Sequence, residues 1–281
     1  MKKKRHPDSS ATRITSSQPL RKPISRKDIL LAVLSGFILI LSFPRYGVGC
    51  LAWVAFIPLY FSIEGKRPGQ AFLLGWITGL LLYSGTIYWI AYVIVHYGSL
   101  SFFLGILAML LLSAYLALYF GLFAACVSYF RKGILPFIFT APAWWVCLEY
   151  IKSHLMTGFP WNNLSHSQYL YGPVIQITDI TGTFGLSFLI VVINTALYEI
   201  LSKEESPKRV LTDAAIAFSL LAITMGYGII RMQEITKIQQ QSVSYPIALV
   251  QGNIEQDIKW NPQYQNETLE IYENLTRKLK L

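Results

Sequence analysis

Three cysteines and one acidic residue set the limits on chemistry in this sequence. Cys50, Cys126 and Cys147 all sit inside apolar stretches, where a thiol behaves as a small buried side chain and desolvation opposes the thiolate that a nucleophile requires. No cysteine follows residue 147. Glu149 is two residues from Cys147, but positions i and i+2 of a helix point to different faces, so the two do not read as a nucleophile and its base. Glu149 lies in an apolar run about a turn from its end, with Lys152 three residues on. An ionised group at that depth requires a partner, an interface or a wet cavity. Glu149 therefore reads either as the partner of Lys152 or as support for a lipid or substrate cavity. His6, His96, His154 and His166 show no metal-ligand spacing beside a carboxylate, and neither a metal nor a cofactor is assigned.

Binding is better represented than catalysis. The connection from Lys152 to Thr181 carries Gly158-Phe159-Pro160-Trp161-Asn162-Asn163, followed by Ser165, His166, Gln168, Tyr169, Tyr171, Gly172 and Pro173. Trp and Tyr rings favour the headgroup level of a bilayer. Gly and Pro around such rings also fix a shape, so the loop reads as an aromatic belt or as a shaped surface for an amphipathic ligand.

The elements that must position this loop are apolar. The 281 residues are 53% hydrophobic and only 14% charged, with 17 Tyr, 16 Phe and 7 Trp, a composition that requires lipid as part of the solvent. Seven apolar segments run over 29–43, 48–63, 71–94, 102–129, 134–151, 182–201 and 211–230. Crossing about 30 Å of hydrocarbon takes roughly 20 helical residues, and five of the seven come near or exceed that. The first two are short, interrupted by Pro44, Gly47, Gly49 and Pro58. The net charge of +9 is concentrated in a tail that holds nine of the 24 Lys and Arg residues before Asp28. Such a tail is retained on the cytoplasmic side and attracted to anionic lipid, which argues against a nucleic-acid partner. If all seven segments cross, most of the remaining cations between the spans fall on inner loops, and the chain after Ile230 lies outside the cytoplasm.

Four regions follow: a basic tail over 1–28, a membrane domain over 29–230 with about seven spans, a polar connector over 231–244, and the opening of a soluble domain over 245–281. Tyr245 to Gln251 is expected as a short strand, because Ile247, Ala248, Leu249 and Val250 are consecutive. A helix is expected after Tyr264, with Leu269, Tyr272, Leu275 and Leu279 forming one stripe. One strand and one helix do not bury a core, so this domain is expected to be truncated.

Three separated motifs carry a resemblance. They are Thr157-Gly158-Phe159-Pro160-Trp161 with Ser167-Gln168, then Gly182-Thr183-Phe184-Gly185 leading to Asn194, and finally Val250-Gln251-Gly252-Asn253-Ile254-Glu255-Gln256 with Lys259-Trp260. In this order the sequence resembles the apolipoprotein N-acyltransferases of the bacterial inner membrane, members of the membrane-bound nitrilase-like superfamily. The resemblance implies a polytopic α-helical membrane bundle followed by the opening strand and helix of a nitrilase-like α/β sandwich outside the membrane. It also implies acyl transfer from a phospholipid donor through a Cys thioester to the N-terminal amine of a diacylglyceryl-modified apolipoprotein acceptor.

By that resemblance Trp260, Trp161, Phe159 and Pro160 are substrate-contacting residues, with Glu149, Gln251 and Asn253 in support. The family's catalytic Glu belongs to a Trp-Pro-Glu segment that this sequence lacks. Its Lys and Cys come later still, so no catalytic residue is assigned. The chain is expected to be inactive alone, as a truncation, a gene-model fragment or one half of a split gene whose remainder is a separately encoded partner. A non-catalytic lipid-binding or transport protein is the alternative. The topology is directly testable: a reporter active only outside the cytoplasm should be silent when fused at Gly65 and active at Gly172 or Gln240. Activity at Gly65 would overturn the orientation.

Overall fold

The structure is a computed structural model that describes residues 22–98, 100–131, 135–203, 205–256 and 258–279. Residues 1–21 of the basic tail lie outside the described residues, as do Lys132 of an inner loop, Asp257 of the turn before Trp260, and Lys280. Ten α-helices are described. They are α1 (Arg26–Ser42), α2 (Phe56–Ile63), α3 (Pro68–Thr86), α4 (Trp89–Tyr97), α5 (Phe102–Phe130), α6 (Phe137–His154), α7 (Gly172–Ile175), α8 (Thr178–Ser202), α9 (Pro207–Gln241) and α10 (Gln265–Arg277).

Local chemistry sets several of these boundaries. Ser25 and Asp28 form a reciprocal capping box at the start of α1, supplying partners to amides that have no intrahelical acceptor. Asp28 also accepts from Lys66, whose Nζ is buried beside it and donates to the Pro23 carbonyl. Burial alone would raise the Asp28 carboxyl, but the bonds from Lys66 and Ser25 outweigh it and hold the group below its ordinary value. Ser101 and Ser206 cap α5 and α9, and Pro68 and Pro207 occupy first-turn positions that need no amide donor.

α5, α8 and α9 are long and apolar enough to cross a membrane, at 29, 25 and 35 residues. The third apolar segment of the sequence is not one straight rod: α3 and α4 meet at a 54° bend and satisfy the same test only as a pair. The second is a 3-10 turn over Gly49–Trp53 followed by α2. Side-chain amide chemistry joins this broken segment to the bundle. Asn194 of α8 accepts from the Phe56 amide at 2.9 Å and donates to the Ala52 carbonyl at 2.9 Å. A break in a helix within lipid leaves backbone groups that protein must satisfy, and Asn194 does so here.

The core is aromatic. The Phe56 ring meets Trp145 at 4.8 Å and Phe123 at 5.6 Å edge-on, and stacks with Phe120 at 6.0 Å. Large apolar side chains also cover the outside, among them Phe102, Phe103, Leu111, Phe218 and Ile223. That distribution fits a bundle whose outer solvent is hydrocarbon. The Gly75 and Gly79 pair is used within the chain. A Cβ on Gly75 would lie 2.5 Å from the Phe120 carbonyl oxygen, so α3 and α5 touch backbone to backbone.

Beyond residue 230 one expectation changes. The polar connector is helical through Gln241, as α9 continues past the end of its apolar stretch. The expected strand over Tyr245 to Gln251 is not formed. These residues carry no regular secondary structure, with Ile247 82% and Leu249 93% exposed. A strand is defined by its hydrogen-bonded neighbour, and no segment among the described residues pairs with it, so no sandwich sheet is present in them. α10 does form, ending at Arg277 before Leu279, and its Tyr272 ring lies against Gly252.

Packing at Gly75 yields a test. Gly75→Ala forces the Phe120 backbone to shift and should destabilise the bundle by about 1–3 kcal/mol, whereas Gly69→Ala meets open space and should be neutral. Thermal unfolding in detergent reads both; equal midpoints would sink the backbone contact.

Candidate functional site

At the end of α6 two buried charges reach into the connection that follows. Glu149 and Lys152 are each 3% exposed and lie one helical turn apart. Glu149 Oε1 accepts from the Leu164 amide at 2.6 Å. Lys152 Nζ donates to the Trp161 carbonyl at 3.1 Å and approaches the Tyr83 hydroxyl at 3.5 Å. The sequence admitted a pair between these two side chains; their charges interact, while their hydrogen bonds go to the loop. Charge-assisted bonds of this kind contribute about 1.5–3 kcal/mol each when buried.

The backbone between these anchors has one tight route. Gly158 adopts φ 79°, and a Cβ there would overlap the Ser153 carbonyl oxygen at 2.1 Å; only glycine fits this turn. Phe159 then donates its amide to the Lys152 carbonyl at 2.9 Å. Asn162 takes a positive φ of 56° and donates through Nδ2 to Thr86 Oγ1 at 2.7 Å. The Ser165 amide donates to Ser187 Oγ at 3.1 Å. Gln168, fully buried, donates through Nε2 to the Gly49 carbonyl at 2.8 Å and accepts from Trp53 Nε1 at 3.0 Å. The loop is thus bonded to α3, α6, α8 and the broken second segment.

What stands out from this base is aromatic. Trp161 is 56% exposed and Pro160 is exposed, with Phe159 half-buried beside them. The Trp161 ring lies 6.0 Å from Phe159 and 6.4 Å from Trp89 of α4. His166, partly buried in the same loop, is held below its ordinary value by burial and by the nearby Lys152 charge. Behind the loop a small cavity of about 10 Å³ is lined by Tyr83, Tyr119, Phe120, Trp145, Leu148, Glu149 and Lys152. Glu149 Oε2 and Trp145 Nε1 are buried there without hydrogen-bond partners; Ser187 and Trp145 approach the carboxylate without completing a bond.

The remaining expected site residues are elsewhere. Trp260 is 81% exposed on the turn before α10, with Lys259 Nζ 5.8 Å from its ring centre, and the described ring contacts do not bring it to Trp161. Gln251 and Asn253 are exposed on the turn facing α10, Asn253 with a positive φ of 50°. The sequence did not single out Trp89, Tyr83, Trp53 or Ser187. Their signal is three-dimensional: they come from three different apolar segments, and only packing brings them to the loop. Among the described residues no group of three or more His, Cys, Asp or Glu is placed to hold a metal ion. The arrangement supplies an exposed aromatic edge over a polar anchor.

Comparison with known proteins assigns this architecture. Residues 35–196, which contain the whole loop and both its anchors, match the family model for the apolipoprotein N-acyltransferase N-terminal domain. An apolipoprotein N-acyltransferase of Geobacter metallireducens is 42% identical over 259 residues, covering 91% of this chain and 49% of the relative. Similar proteins of the same description occur in Coxiella burnetii, at 30% identity over 89% of this chain and 50% of the relative, and in Pasteurella multocida, at 28% over 87% and 46%. The chain spans about half the length of these curated relatives. With more than half of its residues matched by the family model, the chain belongs to the apolipoprotein N-acyltransferase family.

Proposed function

We propose that these residues form the membrane half of an apolipoprotein N-acyltransferase. In this reading the bundle is a cradle in the bacterial inner membrane, with its N-terminus cytoplasmic and residues after α9 periplasmic. It admits a phospholipid acyl donor and a diacylglyceryl-modified apolipoprotein at its outer end. Residues 245–281 lead into a nitrilase-like α/β sandwich. The charge bias of the inner loops supports the orientation and the count of seven crossings, with α1, the 49–63 segment and α6 as shorter spans.

The observation that carries the reading is the exposed Phe159-Pro160-Trp161 edge on a backbone clamped by Glu149 and Lys152. A belt residue has only to sit at the right depth. A clamped backbone with a glycine-only turn holds the rings in one place, which is what orienting a lipid requires. The chemistry itself proceeds in two steps. A thiolate attacks the phospholipid ester, forming a thioester and releasing the lysophospholipid alcohol. The acceptor amine then attacks the thioester, forming an amide and regenerating the thiol. The Cys, Glu and Lys of that scheme belong to the later part of the sandwich, and none is assigned among the 281 residues. Trp260, with Gln251 and Asn253, belongs to the mouth of that site in this reading.

A second reading, a lipid-binding bundle without catalysis, is favoured by the cysteines. Cys50 and Cys147 are exposed on the outside of an apolar bundle and Cys126 is partly so. None is placed against a base.

Two outcomes test the proposal. In a full-length relative, changing the Trp that matches Trp161 to Ala should lower transfer about tenfold, equivalent to ~1.4 kcal/mol, with membrane insertion unchanged. Equal activity per folded molecule would remove Trp161 from the entrance. Separately, these 281 residues purified with phospholipid and a diacylated peptide should form neither a thioester nor a triacylated product, and a thioester on any of the three cysteines would force a new site assignment.

A further inference from the structure

The Gly182-Thr183-Phe184-Gly185 motif takes no part in the loop clamp. Gly182 interrupts α8 with φ 64° and ψ −174°, a conformation open essentially only to glycine. The turn before it, Thr178–Thr181, therefore leaves the helix path, and Asp179 meets α9. Tyr227 Oη donates to both Asp179 carboxylate oxygens, at 2.9 and 2.8 Å, and Arg231 Nε donates to Oδ2 at 3.1 Å. Tyr227 and Arg231 are four residues apart and share one face of α9. Between them, a Cβ on Gly228 would lie 1.7 Å from the Pro173 carbonyl oxygen, so the α9 backbone rests directly on α7. Both contacts fall where the apolar part of α9 ends at Ile230. From there Arg231–Gln241 runs on for ~16 Å of helix.

We propose that Asp179, Tyr227 and Arg231 are positioning residues that set the direction in which α9 carries residues 242–279, with Trp260, at the outer end of the bundle. This rests on the acyltransferase reading, in which that segment must be held close to the lipid entrance. An exposed ion pair by itself contributes little to stability. Here two groups of α9 converge on one carboxylate of α8 beside a backbone contact, and the consequence is directional: the outer arm of α9 has one tilt. The Gly182 motif then has a physical role, since any other residue there would strain the turn that presents Asp179.

The test uses the 281-residue chain in lipid nanodiscs, its three native cysteines replaced by alanine, with spin labels on the exposed positions Leu170 and Gln240. The intact latch should give one narrow distance peak. Asp179→Asn should broaden it about twofold, as expected for a locally released segment, and Asp179→Glu should narrow it again. A second label pair at Phe103 and Phe139, on the lipid-facing sides of α5 and α6, should not change. An unaltered peak in both Asp179→Asn and Asp179→Ala would overturn the proposal. Broadening of both label pairs would do the same, because Asp179 would then stabilise the bundle in general. Failure of the acyltransferase reading is distinguishable, since it would appear as absence of transfer in a full-length relative while the distance here still responded to Asp179.

Discussion

A carboxylate and an ammonium buried at the end of an apolar helix constrain everything above them. Glu149 and Lys152 have little access to water, so their charge must be met by protein, and the loop from Gly158 to Gln168 meets it with main-chain groups. Removing Glu149 would leave the Leu164 amide buried without its acceptor, and removing Lys152 would free the Trp161 carbonyl. Because a buried polar group without a partner is costly, loop and helix end are mutually dependent. The aromatic edge is held in place through its backbone as well as by contacts of its rings.

The rest of the bundle makes that arrangement possible by surrounding it with close packing. α3 and α5 approach through Gly75 and Gly79, and Trp145, one turn before Glu149, anchors α6 in the ring cluster around Phe56. The broken segment over 49–63 gives up helical hydrogen bonds, and Asn194 and Gln168 replace them. Irregular backbone inside a membrane protein is tolerated where it is buried against protein or lines a cavity. Here the broken segment is joined to the loop through Gln168, which bonds to Gly49 and Trp53.

The family assignment and the geometry divide the explanation between them. The matched residues contain the clamp and its aromatic edge, while the turn bearing Trp260 lies beyond them. Acyl transfer needs a thiolate, a base and an oxyanion donor in one polar chamber. In the proposed reading the bundle contributes orientation at a lipid boundary, through an exposed Trp161 on a hydrogen-bonded base and the contacts of α9 at Gly228 and Asp179.

Hydropathy and charge made the membrane character and the apolar segments legible, and the residue types of the 158–163 loop marked an aromatic turn, because lipid imposes long apolar runs and interfaces select aromatic rings whatever the detailed packing. The glycine of the loop was legible too, since a Gly beside Phe-Pro-Trp signals a turn that side chains cannot enter. The expected strand at 245–251 was a local reading of β-rich residues, and a strand exists only with a neighbour that composition alone does not supply. Breaks were also hidden: the 71–94 run has no proline and no charged residue, yet α3 and α4 bend by 54°. Which groups Glu149 and Lys152 would meet was decided by tertiary structure alone. Their partners Leu164 and Trp161 are backbone groups, common to every residue type, and only the folded path of the chain selects which amide and which carbonyl reach a buried charge.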